Sequence, residues 1–150
     1  MSNIVVISGS RMNVCVAIGR KEWAFTLNKS SYKNKPTHKI QLGTLLPIFI
    51  INEGFYGVAL ATSSPKVGEE RFGIWPLDEE GEFNSLTKYY DPFSFKMLTE
   101  NRKIITLEEF KNKINCRDVT TAFFALNNLR QENAPGWSQK TVMTLMLMFD

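Results

Sequence analysis

Histidine is the residue most often used for acid–base catalysis near neutral pH, and this chain of 150 residues has only one, His38. A single histidine excludes paired-histidine phosphoesterase chemistry, histidine-rich zinc sites and Cys₂His₂ fingers. A Ser-His-Asp triad would have to use His38, which lies in a lysine-rich stretch without a plausible orienting carboxylate. Cys15 and Cys116 have no CxxC spacing, so we interpret them as small buried hydrophobes.

Carboxylate, tyrosine and arginine chemistry remains available without histidine or metal. Glu53, Arg71 and Tyr90, together with Trp75, could supply the acid, the cation and the stacking rings of a pocket that acts on a nucleoside. The alternative is that the aromatic residues between positions 75 and 95 join a sheet to helices as core. The acidic run Asp78–Glu82 does not match a calcium-loop spacing, and we predict no metal ion and no cofactor.

Lysines, hydroxyl residues and one tyrosine are concentrated between positions 29 and 39. Ammonium groups neutralise phosphates, and an aromatic ring stacks on an unpaired base, so this loop predicts contact with a nucleic acid or another polyanion. A solvated lysine-rich hairpin loop is the alternative. The predicted nucleic-acid-binding residues are Arg20, Lys21, Lys29, Tyr32, Lys33, Lys35 and Lys39.

Charge is polarised along the chain. Residues 1–52 hold seven basic residues and one acid, a net of +6, whereas residues 53–100 hold four basic residues and nine acids, a net of −5. Residues 101–150 hold seven basic residues and five acids, a net of +2. This asymmetry indicates a basic face that meets an anionic partner, or faces that meet each other, with the acidic run Asp78–Glu82 contacting the basic loop of another copy.

The segment Ser8–Arg11 follows the apolar run Ile4–Ile7. A strand followed by glycine, serine and arginine is the pattern of a phosphate cradle, and it is similar to the phosphate loop of flavodoxin-like flavin reductases. Such a cradle needs a helix after it, and the β-branched stretch from Val14 to Ile18 does not indicate one. We therefore expect a tight turn between two strands.

The final segment from Val142 to Phe149 is apolar on almost every side. It is too short to span a bilayer, so no membrane partner is predicted. A helix of this kind either lies in the core or faces a partner, and methionine adapts well to binding surfaces. The residues predicted to meet a protein partner or a second copy are Val142, Leu145, Met146 and Phe149.

Period-two patterning predicts strands in the first half of the chain. They are expected at Asn3–Ser8, Asn13–Ile18, Glu22–Asn28, His38–Leu42, Leu45–Ile51, Phe55–Ala61 and Arg71–Leu77, with Gly19–Lys21 as a hairpin connection.

Capping residues predict helices in the second half, because serine, threonine and aspartate satisfy the first backbone N–H groups of a helix. Helix starts are expected at Asp91-Pro92, Thr106, Asp118 and Ser138. We therefore predict one α+β domain over residues 1–150: a mainly antiparallel sheet from the N-terminal half, with three to four helices from the C-terminal half packed on one face.

No basic leader followed by a long apolar run is present, so we expect a cytoplasmic protein. Twelve lysines against six arginines are typical of an AT-rich genome, such as that of a phage or virus. The leading hypothesis is a non-enzymatic binding or regulatory protein that engages a nucleic acid, a nucleotide or a protein, with self-association through the last helix. The alternative is a small nucleotide- or nucleic-acid-directed enzyme that uses carboxylate, tyrosine and arginine chemistry.

Overall fold

The computed structural model of the chain describes residues 4–26, 40–72, 88–114 and 137–150. Strands and helices are both present in these ranges, which confirms the prediction of an α+β fold. The strands are β1 (Ile7–Gly9), β2 (Glu22–Thr26), β3 (Leu45–Ile50), β4 (Gly54–Ala61), β5 (Glu70–Phe72) and β6 (Lys88–Met97), and the helices are α1 (Arg11–Arg20), α2 (Leu107–Lys113) and α3 (Gln139–Met148).

The sheet has the strand order β1-β3-β4-β6-β2, and β5 also pairs with β6. β1 and β3 are parallel, and the other pairs are antiparallel, so the predicted mainly antiparallel sheet is confirmed. β3 lies between β1 and β4, as expected for its continuous apolar run. The prediction of strands followed by helices is only partly right, because α1 precedes β2 and β6 lies in the second half of the chain.

Helices lie against both faces of the sheet. The helices α2 and α3 of the C-terminal half pack on one face, as predicted, whereas α1, a helix of the N-terminal half that was not predicted, packs on the other. Alternate residues of β3 point to opposite sides, as the pleat of a strand requires. Ile48 packs in a core with Val14 and Ala17 of α1, which we call the α1-side core. Phe49 packs in a second core with Phe110 of α2 and with Val142 and Leu145 of α3. We call it the α3-side core.

The predicted strand at Asn13–Ile18 is wrong, since this segment is the middle of α1. The hydroxyl of Ser10 accepts a hydrogen bond from the Asn13 N–H at 3.3 Å and caps the helix. Val14 and Ala17 are three residues apart, lie on one face of the helix and are fully buried. β-branched residues cost only tenths of a kcal/mol in a helix, roughly, whereas burying a valine contributes about 1.5 kcal/mol or more, so burial decides the structure here.

The predicted hairpin at Gly19–Lys21 is the end of α1. Lys21 has a left-handed backbone with φ of 59°, and its N–H caps the helix by donating to the Ala17 and Ile18 carbonyls. The chain then enters β2 at Glu22, so the predicted strand there is confirmed. Cys15 is exposed on α1, which corrects the interpretation of this residue as a buried hydrophobe.

The predicted helix start at Asp91-Pro92 is also wrong, because both residues lie within β6. Asp91 has a left-handed φ of 54°, and its buried carboxylate accepts the Gly68 N–H at 2.8 Å. Pro92 has no N–H to donate, and its carbonyl accepts the Lys66 N–H at 2.9 Å. The aspartate therefore anchors the loop before β5 instead of capping a helix.

Two of the predicted helix caps are confirmed. Thr106 begins α2, and its hydroxyl accepts the Glu109 N–H at 3.1 Å. Ser138 begins α3, where the hydroxyl of Thr141 accepts the Ser138 N–H at 2.7 Å. The helix predicted to start at Asp118 lies outside the described residues.

Three of the four predicted interface residues of α3 and its C-terminal end are buried inside this chain. Val142 and Leu145 belong to the α3-side core, as does Phe149, and Met146 packs partly against it. Their side chains pack between α3 and the sheet of the same chain, so they are not available to a partner. The exposed apolar residues of α3 are instead Met143 and Leu147.

Candidate nucleic-acid interface

The junction between β1 and α1 is a strand followed directly by a helix, the arrangement that a phosphate cradle at Ser8–Arg11 needs. The sequence analysis did not predict this helix. β1 ends at Gly9, Ser10 caps the helix, and α1 starts at Arg11. The expected tight turn between two strands is therefore wrong. A helix start directs several backbone N–H groups outward, together with the positive end of the helix dipole, so this junction favours electron-rich partner atoms.

Gly9, Asn13 and Trp23 meet beside this junction. A Cβ atom at Gly9 would lie 3.2 Å from Cη2 of the Trp23 indole and 3.7 Å from Cβ of Asn13. The first distance is tighter than ordinary van der Waals contact, so the absence of a side chain at Gly9 lets the indole approach the backbone. The contact also joins β1 and β2, which are the two ends of the strand order.

Trp23 is held in place by the strand that pairs with β2. It is buried and lies opposite Phe93 of β6. The ring of Phe93 is 5.9 Å from that of Phe25 and 6.5 Å from that of Phe95, measured between centroids. The pairing of β2 with β6 shifts register between Trp23 and Phe25. A bulge of this kind re-aims side chains next to a site.

Asn13 brings a carboxamide side chain to the same junction. The residue as a whole is half-buried, and its side-chain oxygen Oδ1 is buried. A carboxamide both donates and accepts hydrogen bonds, whereas an indole ring offers a flat apolar surface. Together these two groups can bind a planar ligand that has hydrogen-bonding atoms on its edge.

Arg11 ties the start of α1 to the turn between β3 and β4. Its Nε donates to both carboxylate oxygens of Glu53 at 3.1 Å, and Nη2 contacts Oε1 as well. The hydrogen bond and the charge of Glu53 raise the pKa of Arg11 above its ordinary value. The Ile51 N–H also donates to the Gly9 carbonyl at 2.9 Å, so the same turn holds the end of β1.

The structure separates Glu53 from Tyr90, two of the predicted pocket residues. Glu53 binds Arg11 at the β3–β4 turn. Tyr90 lies opposite Phe25, beyond the far end of the ladder that pairs β4 with β6. Arg71 lies in β5 opposite Tyr89, and Trp75 lies outside the described residues.

The predicted basic residues are described only in part. Arg20 is the last residue of α1, Lys21 caps it, and both side chains are exposed. The remaining predicted members and the acidic run Asp78–Glu82 lie outside the described residues, so the basic loop stays a prediction. The undescribed members are Lys29, Tyr32, Lys33, Lys35 and Lys39.

Within the described residues, no group of three or more histidine, cysteine or carboxylate side chains could hold a metal ion. None of their helices is long and apolar enough to cross a bilayer.

No protein-family model matches this chain, and no curated protein is detectably similar to it in sequence. Solved structures do match it. The YTH domain of Toxoplasma CPSF4, in complex with a 7-mer m6A-modified RNA, superposes with a TM-score of 0.60 at 21% identity, over 100% of this chain and 93% of that chain. The YTH domain of the Zygosaccharomyces rouxii MRB1 protein, in complex with N6-methyladenosine RNA, gives a TM-score of 0.61 at 16% identity, over 99% of this chain and 87% of that chain.

The chain has the fold of these YTH domains. A hypothetical protein from Leishmania major shares it, with a TM-score of 0.56 and 16% identity over 99% of this chain and 94% of that chain. At these identities the likeness concerns the fold, and it gives no support to the predicted phage or viral origin. The sequence analysis did not predict the YTH fold, because it assigned a strand to Asn13–Ile18, where this fold has the helix α1.

Asn13 and Trp23 are the site residues that sequence reasoning missed. Asn13 lies in the segment that we expected to be a strand, and Trp23 lies in the predicted strand Glu22–Asn28, where nothing distinguished it from its neighbours. The signal that could have found them is the serine cap at Ser10 followed by buried residues at helical spacing, Val14 and Ala17.

Proposed function

We propose that this protein is a non-enzymatic binding module for single-stranded RNA, which accepts an N6-methyladenine base beside Gly9, Asn13 and Trp23. The observation that carries the proposal is the contact of these three residues at the β1–α1 junction of a YTH fold. The domains of this fold from Toxoplasma, from Zygosaccharomyces rouxii and from the Pho92 protein were solved with m6A or m6A-modified RNA.

The chemistry of the site suits a methylated purine. Proteins that read single-stranded RNA splay a base out of the chain, stack it on an aromatic ring and bind its edge with hydrogen bonds. Asparagine is the side chain whose donor and acceptor best match adenine, and Asn13 carries that carboxamide. An added N6-methyl group is apolar, so the indole of Trp23 is a favourable neighbour for it.

Binding is favoured over catalysis by the placement of the predicted catalytic groups. The enzyme hypothesis relied on Glu53 and Tyr90 acting together, but Glu53 precedes the first residue of β4, whereas Tyr90 lies beyond the Ala61–Phe95 pair at the other end of that strand. Glu53 is moreover engaged by Arg11. A regulatory role as an RNA reader agrees with the binding hypothesis drawn from the sequence. Cytoplasmic localisation and self-association stay predictions.

The test is a binding titration of the full chain with a fluorescent single-stranded RNA heptamer that contains one adenine, either methylated at N6 or not. We expect the methylated RNA to bind about 4-fold more tightly or better, since burying one added methyl group contributes about 0.8 kcal/mol. Asn13→Ala should weaken binding of the methylated RNA by about 10-fold or more. Asn112→Ala is the matched control, because Asn112 is exposed on α2.

Equal affinity for the two RNAs would refute the proposal, as would an Asn13→Ala variant that binds like the wild type. The same protein–RNA samples also test the enzyme alternative. Mass spectrometry of the RNA after incubation should return it unchanged, and a stoichiometric excess of altered RNA would favour catalysis.

A further inference from the structure

We infer that the outer face of α3 binds the same face of α3 in a second copy of this chain, with the two helices antiparallel. The apolar centre of this face consists of Met143 and Leu147, which are 52% and 63% exposed. Lys140 and Asp150 lie at its two ends and are exposed as well. We call these four residues the α3 stripe. The inference concerns self-association and does not depend on the proposed function.

The α3 stripe lies on the side of the helix that faces away from the sheet. Val142, Leu145 and Phe149 occupy the other side and pack in the α3-side core. Steps of three, four and three residues separate the members of the stripe, which is the spacing of the a and d positions in a coiled coil. The Asp150 N–H donates to the Leu147 carbonyl at 3.2 Å, so the chain keeps its helical path as far as the last member. α3 therefore has a second seam, and this one is exposed.

The charges of the α3 stripe oppose the dipole of their own helix. Lys140 lies in the first turn, at the positive end of the dipole, and Asp150 follows the last turn, at the negative end. A helix is stabilised by the reverse arrangement, with acids near its start and bases near its end. Stabilisation of α3 therefore does not account for these two charges, and a partner of complementary charge does.

An antiparallel second copy has that complementary charge. When two α3 helices pair about a twofold axis at the level of Leu145, Lys140 of each copy lies opposite Asp150 of the other. Met143 of each copy then lies opposite Leu147 of the other, so one surface complements itself, as an isologous interface requires. Parallel helices would instead place like charges opposite each other, which is unfavourable.

The contact is small by the standards of stable dimers. A standard interface has about 20–30 residues on each side, whereas the α3 stripe has four. We therefore expect a monomer at the micromolar concentrations of a denaturation experiment, and a dimer as the concentration approaches about 1 mM. A weak contact of this kind becomes effective where two copies are held close together, because their local concentration then reaches the millimolar range.

Sedimentation equilibrium of the full chain between about 10 μM and 2 mM measures this association. The buffer contains a reducing agent, because Cys15 is exposed. Leu147→Lys should weaken association by about 100-fold, since each dimer loses two leucines whose burial contributes about 10-fold or more apiece. Leu42→Lys is the matched control: Leu42 is 72% exposed in the turn before β3, so its replacement should leave association unchanged.

The charged ends of the stripe test the orientation of the helices. Lys140→Glu replaces two ion pairs of each dimer by two repulsions, so association should weaken by about 5-fold. The melting temperature of the monomer should stay the same or rise, because an acid in the first turn suits the helix dipole. Adding Asp150→Lys to this variant should restore association. Lys103→Glu is the control for net charge, since Lys103 is an exposed cation outside α3.

Several outcomes would overturn the inference. A monomer at every concentration would do so, and so would a dimer that persists in Leu147→Lys, because its contact would lie elsewhere on the chain. A Lys140→Glu, Asp150→Lys double variant that does not recover association would exclude the antiparallel arrangement. RNA is absent from all of these measurements, so their failure leaves the proposed function standing, and failure of the RNA titrations leaves the α3 stripe standing.

Discussion

The two faces of the sheet differ in the side chains that pack against them. The α3-side core is a cluster of rings: Phe55 lies 5.1 Å from Phe49, 5.2 Å from Phe110 and 6.0 Å from Trp137, each edge to face. The α1-side core is also apolar in its centre, but its margin carries the amide of Asn13 and the phenol of Tyr89.

The difference indicates a division of work between the faces. Edge-to-face rings add about 0.5–1.5 kcal/mol per pair to the burial of their apolar surface, so the α3-side core stabilises the fold. Asn13 lies at the candidate base site, so a ligand would bind at the margin of the α1-side core. The predictions below ask whether stability and binding can be changed separately on the two faces.

The largest effect is expected in the α3-side core. Phe55 is completely buried and contacts three rings, so Phe55→Ala should lower the free energy of unfolding by about 3–5 kcal/mol. Urea denaturation followed by circular dichroism measures this change. Leu147→Ala is the control, because Leu147 is 63% exposed and its loss should change stability by about 0.5 kcal/mol or less. Equal losses for the two variants would contradict the assignment of the ring cluster as the stabilising core.

The next effect separates binding from stability on the α1 face. Gly9→Ala places a methyl group 3.2 Å from the Trp23 indole, so the ring must move by a few tenths of an ångström. We expect binding of the methylated RNA to weaken about 10-fold, with an overpacking cost near 1 kcal/mol, at the low end of the usual range. Gly19→Ala is the matched control, since a Cβ there meets nothing within 4 Å and alanine favours a helix. A Gly9→Ala variant that binds like the wild type would show that the indole position is irrelevant to the ligand.

The α3 face was also the easier one to predict from sequence. Thr106 and Ser138 cap helices through hydrogen bonds to residues three positions away, so the information lies in a few adjacent letters. The strands β3 and β4 have continuous or alternating apolar residues and were predicted nearly to their ends. What these elements share is that local chemistry and tertiary burial favour the same structure.

The α1 face was mispredicted where the two disagree. Val14 has a β-branched side chain, and only the sheet beneath it makes a helix the better structure. Asp91 and Pro92 form a good helix start in isolation, yet a hydrogen bond to Gly68, more than twenty residues away, holds them in β6. The candidate site depends on α1, so Asn13 could not be recognised as a site residue before the helix was known.

A smaller effect is expected from the Tyr89 phenol at alkaline pH. Burial raises the pKa of Tyr89 in the folded protein above its ordinary value of 10.0. The folded state therefore holds this proton more tightly than the unfolded state, and the associated stability is complete below pH 10 and is lost as pH rises through the folded pKa. Melting temperatures between pH 8 and pH 11 should fall less steeply for Tyr89→Phe than for the wild type. Parallel curves would show that burial of this phenol does not control the alkaline limb.

The smallest change in stability is expected from the ion pair that clasps the α1 face to the β3–β4 turn. Arg11 and Glu53 are hydrogen-bonded through both carboxylate oxygens, but their side chains are 52% and 35% exposed, so solvent screens their attraction. Arg11→Gln should therefore shift the melting temperature only slightly, and the shift should vanish in high salt. Glu53→Gln is the reciprocal control, and the double variant should lose no more than either single one, because each already breaks the pair. A large, salt-independent loss would mean that the end of β1 depends on this clasp rather than on the Ile51–Gly9 backbone hydrogen bond, and the α1 face would then owe its shape to surface charge instead of to the core beneath it.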